Sequence, residues 1–141
     1  MSWTYDYQMP AATSDIILVN PNYEILLLKR AGETGKGMWA LPGGYVDPDE
    51  SPLEAAHREL REETSLVFIP LKLFDVRKNL YKTESWRIKS IYYAMLDENK
   101  AVHLNHKEHT FHEWRPMLKC QNLFSDHEQI ISDFILTHLV K

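Results

Sequence analysis

Three carboxylates at helical spacing are the first residues in this sequence that could do chemistry together. Glu59, Glu62 and Glu63 stand at i, i+3 and i+4, so a helix sets them side by side, where they repel by about 0.2–0.5 kcal/mol per pair. Glu62 and Glu63 also fall just before Thr64 and Ser65, in a last turn whose dipole disfavours each anion by roughly 0.3–1 kcal/mol. Arg58 and Arg61 relieve part of this, but Arg58 precedes Glu62 in the less favourable i, i+4 order. A divalent cation would offset the rest, and all-oxygen ligands select Mg²⁺ or Mn²⁺ over zinc. Taken by itself, the same run reads as a solvated acidic helix face.

The surrounding composition sharpens the choice. The chain has 141 residues, 20 acids and 16 bases, a net charge of −4. Residues 44–66 hold seven of the acids and two of the bases, so that segment carries −5 and the rest of the chain +1. All five glycines lie between Gly32 and Gly44, next to the acidic segment. The size suits one domain, 1–141, with one core.

Several classes are excluded on composition. Cys120 is the single cysteine, which rules out an intramolecular disulfide or a cysteine-based zinc site and fits a reducing, cytoplasmic setting. Met1–Met9 shows no basic-then-apolar leader. The longest apolar stretches, such as Ile16–Val19 and Ile25–Leu28, fall far short of the roughly 20 residues of a membrane helix. A pI near 6.0 with scattered Lys and Arg offers no basic face for nucleic acid.

The elements that must position the carboxylates follow from local pattern. Asp15–Val19 and Glu24–Leu28 flank Asn20-Pro21-Asn22-Tyr23 and read as a hairpin. A glycine-rich loop ends in Pro42-Gly43-Gly44, where something can approach the backbone closely. Ser51, Pro52 and Glu54 open a helix with an N-cap, a proline in the first turn and a capping box, and its face with Leu53, Ala56 and Leu60 is core. Leu71–Arg77, Arg87–Leu96 and Phe111–Arg115 read as strands. Ser125-Asp126-His127-Glu128 forms a second capping box, opening a helix whose apolar stripe is Ile130, Ile131, Phe134, Ile135 and Leu139.

From Gly44 to Leu66 the chain reads GYVDPDESPLEAAHRELREETSL, which resembles the 23-residue signature of the Nudix hydrolases. Gly44, Glu50, Arg58, Glu59, Leu60, Glu62, Glu63 and Leu66 match; Ser65 replaces the second glycine. That position follows the helix and suits a left-handed cap, so Ser65 bears on local backbone strain. The preceding segment Gly37–Gly43 is also similar to the family.

The resemblance implies an α/β/α sandwich with a mixed β-sheet and the signature as loop-helix-loop. It implies Mg²⁺ (or Mn²⁺) held by Glu59, Glu63 and Glu62 with the carbonyl of Gly43, a carboxylate oriented by Arg58, and a loop braced by Glu50. A later acid joins as ligand or base: Glu108, six residues before Trp114, with Glu113 as fallback. The proton acceptor is then Glu62 or Glu108. The implied reaction is hydrolysis of a nucleoside diphosphate linked to another group, with Arg30, Trp39, Gly44 and Tyr81 as candidates to meet the substrate. Lys36 and Arg77 read as surface cations, and His103, His106, His109 and His112 as a solvated loop in which His109 could touch substrate.

The substrate markers disagree. The flank from Tyr5 to Leu18 with Trp39–Asp47 is similar to ADP-ribose pyrophosphatase-like members, whereas a tyrosine at 81 is associated with dinucleoside polyphosphate hydrolases. ADP-ribose or a related nucleotide sugar leads; a dinucleoside polyphosphate or a nucleoside triphosphate is the alternative. A non-catalytic nucleotide-binding module would be expected to lose a glutamate, and a transcriptional sensor would need a DNA-binding module, for which the sequence leaves no room. Relatives of this kind are often homodimers, and no nucleic-acid or membrane partner is expected.

Overall fold

The computed structural model describes residues 9–81 and 85–139. The Asn20 side chain closes the first turn, as its Oδ1 accepts from the Asn22 and Glu24 amides at 3.0 and 2.9 Å and stands in for a backbone turn partner. This joins β1 (Ala11–Val19) to β2 (Glu24–Arg30), which meet in register at Val19 and Ile25. From there the two strands take different partners. β1 pairs antiparallel with β4 (Gly43–Tyr45) and parallel with β6 (Ser85–Met95). β2 takes β3 (Trp39–Ala40) and β7 (His109–Pro116), and β5 (Lys72–Tyr81) pairs with β6. The result is a mixed seven-stranded sheet.

Side chains alternate across that sheet as a strand requires. Ile16, Leu18, Leu26 and Leu28 bury against α1 (Pro52–Thr64) through Ala56 and Leu60. Ile17, Val19, Ile25 and Leu27 bury against α2 (His127–His138) through Ile130, Ile131 and Phe134. The implied α/β/α sandwich with a mixed sheet is what the chain forms. No helix among the described residues is long and apolar enough to cross a membrane.

Both ends of α1 are fixed locally. Ser51 Oγ accepts from the Glu54 amide at 3.2 Å and Glu54 Oε1 from the Ser51 amide at 3.0 Å. At the other end Ser65 adopts the left-handed cap at φ 65°, and its hydroxyl donates to the His103 carbonyl at 3.2 Å. Leu53 departs from its expected core role, remaining 40% exposed.

The second capping box does not form. α2 begins at His127 without a side-chain cap, because its capping groups are engaged elsewhere: Ser125 Oγ accepts from Asn79 Nδ2 at 3.1 Å, and Asp126 Oδ1 from Lys89 Nζ at 2.7 Å. β3 and β4, two and three residues long, lie where the sequence reads only as loop. With its reciprocal cap intact, α1 is expected to lose about 1 kcal/mol in Ser51→Ala, measured by urea unfolding.

Candidate active site

Where β1 and β2 part, the sheet opens into a cleft of about 560 Å³, a volume typical of small-molecule sites. Glu59 and Glu63 of α1 with Gly43 and Gly44 line one side, Arg30 with Lys107–His109 another, and Thr13, Asp15, Arg87 and Lys89 of the sheet the floor.

Glu63 is 1% exposed. Its Oε1 accepts from the Gly43 amide at 2.9 Å, while Oε2 is buried without a hydrogen-bond partner among the described residues and lies 3.4 Å from His109 Nε2. Glu63, Glu108 and His109 each offer a donor atom, all within 4.8 Å of one another. The loop after β6 reaches this place because it docks on the end of α1: the His103 amide donates to the Thr64 carbonyl at 3.0 Å, and the Glu108 carbonyl accepts from the Ala31 amide at 2.9 Å.

The electrostatics of the cluster are strained without a cation. Burial first, and then the neighbouring charge of Glu59, push the Glu63 carboxyl well above the ordinary carboxylate range. Burial also raises Glu59, against the lowering charge and hydrogen bond of Arg58. Burial, helped by the charge of Arg30, brings His109 down to about 4 and keeps its imidazole neutral at physiological pH. A buried carboxylate oxygen with no partner, facing a second carboxylate and a neutral imidazole, fits a divalent cation.

Arg58 organises the approach. Its Nε reaches both Glu50 oxygens at 3.2 and 3.0 Å, Nη2 reaches Glu50 Oε1 at 2.7 Å and the Tyr45 carbonyl at 3.0 Å, and Nη1 reaches Glu59 and Glu62 at 3.0 and 3.1 Å. Glu50 in turn accepts from the Asp47 amide at 2.8 Å. The two glycines admit the carboxylates. A Cβ on Gly44 would sit 2.6 Å from Glu59 Oε1, and one on Gly43, at φ 152°, would sit 2.2 Å from the Ser14 carbonyl oxygen.

Of the residues singled out by sequence, Glu59, Glu63, Gly43, Gly44, Glu108 and Arg30 meet in the cleft. Glu62 does not line it; its side chain is 44% exposed and paired with Arg58. Trp39 is half-buried against the α2-side core beneath the Arg115 guanidinium, and Glu113 pairs with Arg115. Arg77 pairs with Asp75 and Asp133. The Tyr81 side chain and Tyr5–Gln8 lie outside the described residues. His103, His106 and His112 gather on a separate groove, so His109 alone of that series reaches the cleft.

Sequence reasoning missed the floor. Lys89 Nζ stands 2.9 Å from Asp15 Oδ2 and 2.7 Å from Asp126 Oδ1, with His127 Nε2 3.5 Å from Asp15. Burial opposes ionisation of Asp15, but His127 and Lys89 beside it hold its carboxyl below the usual range. The available signal was a charged residue in each of two apolar strands, at Asp15 and Lys89. Arg87 Nη2 donates to the Tyr45 hydroxyl at 2.6 Å at the cleft margin, and Arg30, held by the Thr34 carbonyl, lies 4.1 Å over the Phe124 ring.

Comparison with known proteins agrees with this picture. The NUDIX domain profile matches residues 9–135. An ADP-ribose pyrophosphatase of Methanocaldococcus jannaschii is 36% identical over 133 residues, covering 92% of this chain and 75% of that protein. The ADPR responsive transcriptional repressor NtrR of Acinetobacter baylyi is 29% identical over 139 residues, and the match spans 92% of this chain but 55% of the repressor. Among solved structures, the NUDIX domain of Shewanella oneidensis NrtR complexed with ADP ribose superposes with a TM-score of 0.80 at 24% identity, covering 94% of this chain and 93% of that one, a likeness of fold.

The glycine geometry separates two effects. Gly43→Ala is expected to destabilise the fold by about 3 kcal/mol, because the backbone it strikes cannot yield. Gly44→Ala is expected to change stability by less than about 1 kcal/mol, yet to displace the flexible Glu59 carboxylate and weaken Mn²⁺ binding about tenfold. Urea unfolding and Mn²⁺ titration of both variants check the pair.

Proposed function

The chain belongs to the Nudix family, and on that premise we propose that it is a divalent-metal-dependent pyrophosphohydrolase that cleaves the diphosphate of ADP-ribose or a related nucleotide sugar. The observation that carries this reading is the buried Glu63 carboxylate, pinned at one oxygen by Gly43 and orphaned at the other toward Glu108 and His109. Similarity to an ADP-ribose pyrophosphatase over most of the chain supports the substrate class.

Glu59 and Glu63 would hold Mg²⁺ or Mn²⁺, with Glu108 and His109 beside them and the Gly43 carbonyl as a further donor. The chemistry supplied by the bound cation is charge neutralisation of the diphosphate and acidification of a water. The protein's own groups do the rest. Arg58 keeps Glu59 aligned by holding it against Glu50 and the Tyr45 carbonyl. Arg30 and Lys107 bring positive charge to the side of the cleft that faces the glutamates, where an anionic substrate needs it. Glu108, on the exposed side of the cluster, would take a proton from the water that such a cation acidifies. Glu62, outside the cleft and engaged by Arg58, has the weaker claim to that step.

A second reading is favoured by one observation: the similar repressor is described as responsive to ADPR. Under it the domain binds the nucleotide sugar as a signal without turning it over. Against it stands the complete set of signature glutamates.

With Mg²⁺ or Mn²⁺, ADP-ribose is expected to be split to AMP and ribose phosphate faster than diadenosine polyphosphates or nucleoside triphosphates. Glu63→Gln keeps the acceptor for the Gly43 amide and removes a buried charge. It is therefore expected to retain or raise the metal-free unfolding temperature while losing turnover by on the order of 100-fold or more. Tight ADP-ribose binding with no turnover on any of the three substrate classes would decide for the signalling module, and near-normal activity in Glu63→Gln would sink the assignment of Glu63.

A further inference from the structure

His127 plays no part in the proposed chemistry, yet it is 4% exposed at the cleft floor, with a hydrogen bond at Nδ1 and Asp15 facing Nε2. The segment after β3 shows why. The Trp39 carbonyl accepts from the Phe124 amide at 2.8 Å, and two residues on, on the same side of the strand, the Leu41 amide donates to His127 Nδ1 at 2.9 Å. The imidazole nitrogen stands where the next carbonyl of a strand ladder would be. Leu41 is 3% exposed, so its amide has no water to turn to.

An Nδ1 that accepts a hydrogen bond carries no proton, so the ring's hydrogen is on Nε2, the nitrogen facing Asp15 Oδ2 at 3.5 Å. Asp15 is tied to Lys89, and Lys89 to Asp126, the residue before His127. Both the ring and its backbone are therefore held in place.

What the ring grips is the segment that forms the metal wall. Three successive residues are each fixed by a different element: the Leu41 amide by His127, the Pro42 carbonyl by the Ile16 amide at 2.9 Å, and the Gly43 amide by Glu63 at 2.9 Å. Pro42 has a nearly fixed φ, and Gly43 is packed against the Ser14 carbonyl and Asp15. A change in the Leu41 peptide is passed on to the direction of the Gly43 amide and so to Glu63.

We propose that His127 is a positioning residue for the metal centre: by accepting the Leu41 amide at Nδ1 it sets the 41–43 segment that aims Gly43 at Glu63. The proposal rests on the metal-dependent reading above and makes the acceptor at one ring nitrogen the essential feature.

Three variants isolate that feature. His127→Asn keeps an acceptor where Nδ1 stands. His127→Gln reaches toward Asp15 but leaves the Leu41 amide bare, and His127→Phe keeps the ring volume and has neither group. Mn²⁺ binding to the substrate-free protein is measured by titration calorimetry and by electron paramagnetic resonance, alongside metal-free thermal unfolding and kcat and KM for the substrate the parent protein turns over fastest.

The Gln and Phe variants are expected to bind Mn²⁺ about 10- to 100-fold more weakly and to lose kcat more than KM, with the Asn variant within about threefold of the parent, in line with groups that orient metal ligands. Equal Mn²⁺ affinity in the Asn and Gln variants overturns the proposal, as does a loss of affinity that follows the loss of unfolding temperature across the series. If the Phe variant does not fold, the Asn and Gln pair decides. A parent protein that binds Mn²⁺ with this pattern but turns over nothing sinks the hydrolase reading and keeps the positioning one; a parent that binds no Mn²⁺ overturns both.

Discussion

The interaction on which the rest of the structure depends is the hydrogen bond from the Gly43 amide to Glu63. A carboxylate buried to 1% exposure costs several kcal/mol to keep charged unless something compensates it, and one neutral amide compensates only in part. That one bond joins the two elements of the site: β4 lies along β1 where Asp15 opposes Gly43, so closely that a Cβ at 43 would strike Ser14 and Asp15, and the amide presented there ties the last turn of α1 to the loop. The acidic end of the helix is tolerated because the first turn is reciprocally capped and because Ala55, Ala56 and Leu60 bury against the sheet.

The cleft is a consequence of how the sheet divides. β1 and β2 meet at the hairpin end, and then β1 fills its free side with β4 and β6 while β2 fills its own with β3 and β7. Backbone groups on both strands stay satisfied, so the gap costs little in hydrogen bonds. The loop before β7 then closes one side by bonding the C-terminal end of α1, at Thr64 and Ser65. Ser65 shows how a missing glycine is accommodated: the left-handed conformation is kept, and the hydroxyl contributes a hydrogen bond that glycine could not make.

What was legible in the sequence follows the range of the forces involved. α1, its caps, the hairpin and the alternation of β1 and β2 are local, and each appears where propensity and spacing put it. The signature glutamates were legible because helical spacing alone makes them neighbours. Glu108 was legible only through resemblance, since its place depends on the loop before it docking on α1 through the His103 amide and the Thr64 carbonyl, residues far apart in sequence. The Asp15–Lys89–Asp126 cluster was legible only as stray charges in apolar strands, because bringing them together needs the parallel register of β1 on β6, which no local pattern encodes. The same cluster explains the one misread cap: Ser125 and Asp126 have the residue types of a helix start, but tertiary partners for both outcompete the capping geometry.

Two buried acidic clusters share this cleft, and their contrast argues for an exogenous cation at one of them. Burial alone would raise the carboxyls of both Asp15 and Glu63. Asp15 is nevertheless held low and Glu63 high. The difference is the partner set. Asp15 has the His127 ring at 3.5 Å and the Lys89 ammonium at 2.9 Å, both supplied by the protein itself. Glu63 has no ammonium or guanidinium within ion-pair distance among the described residues, and the nearby Arg58 is engaged by Glu50, Glu59 and Glu62. A chain that gives one buried carboxylate a cation and the other, beside Glu59 and Glu108, only a backbone amide is stabilised when positive charge is added at the second. Within the −5 carried by residues 44–66, Glu50 and Glu62 are matched by Arg58, so the excess that the protein leaves without a cation of its own is concentrated at buried Glu63, next to the glycine at 44 that gives Glu59 its room.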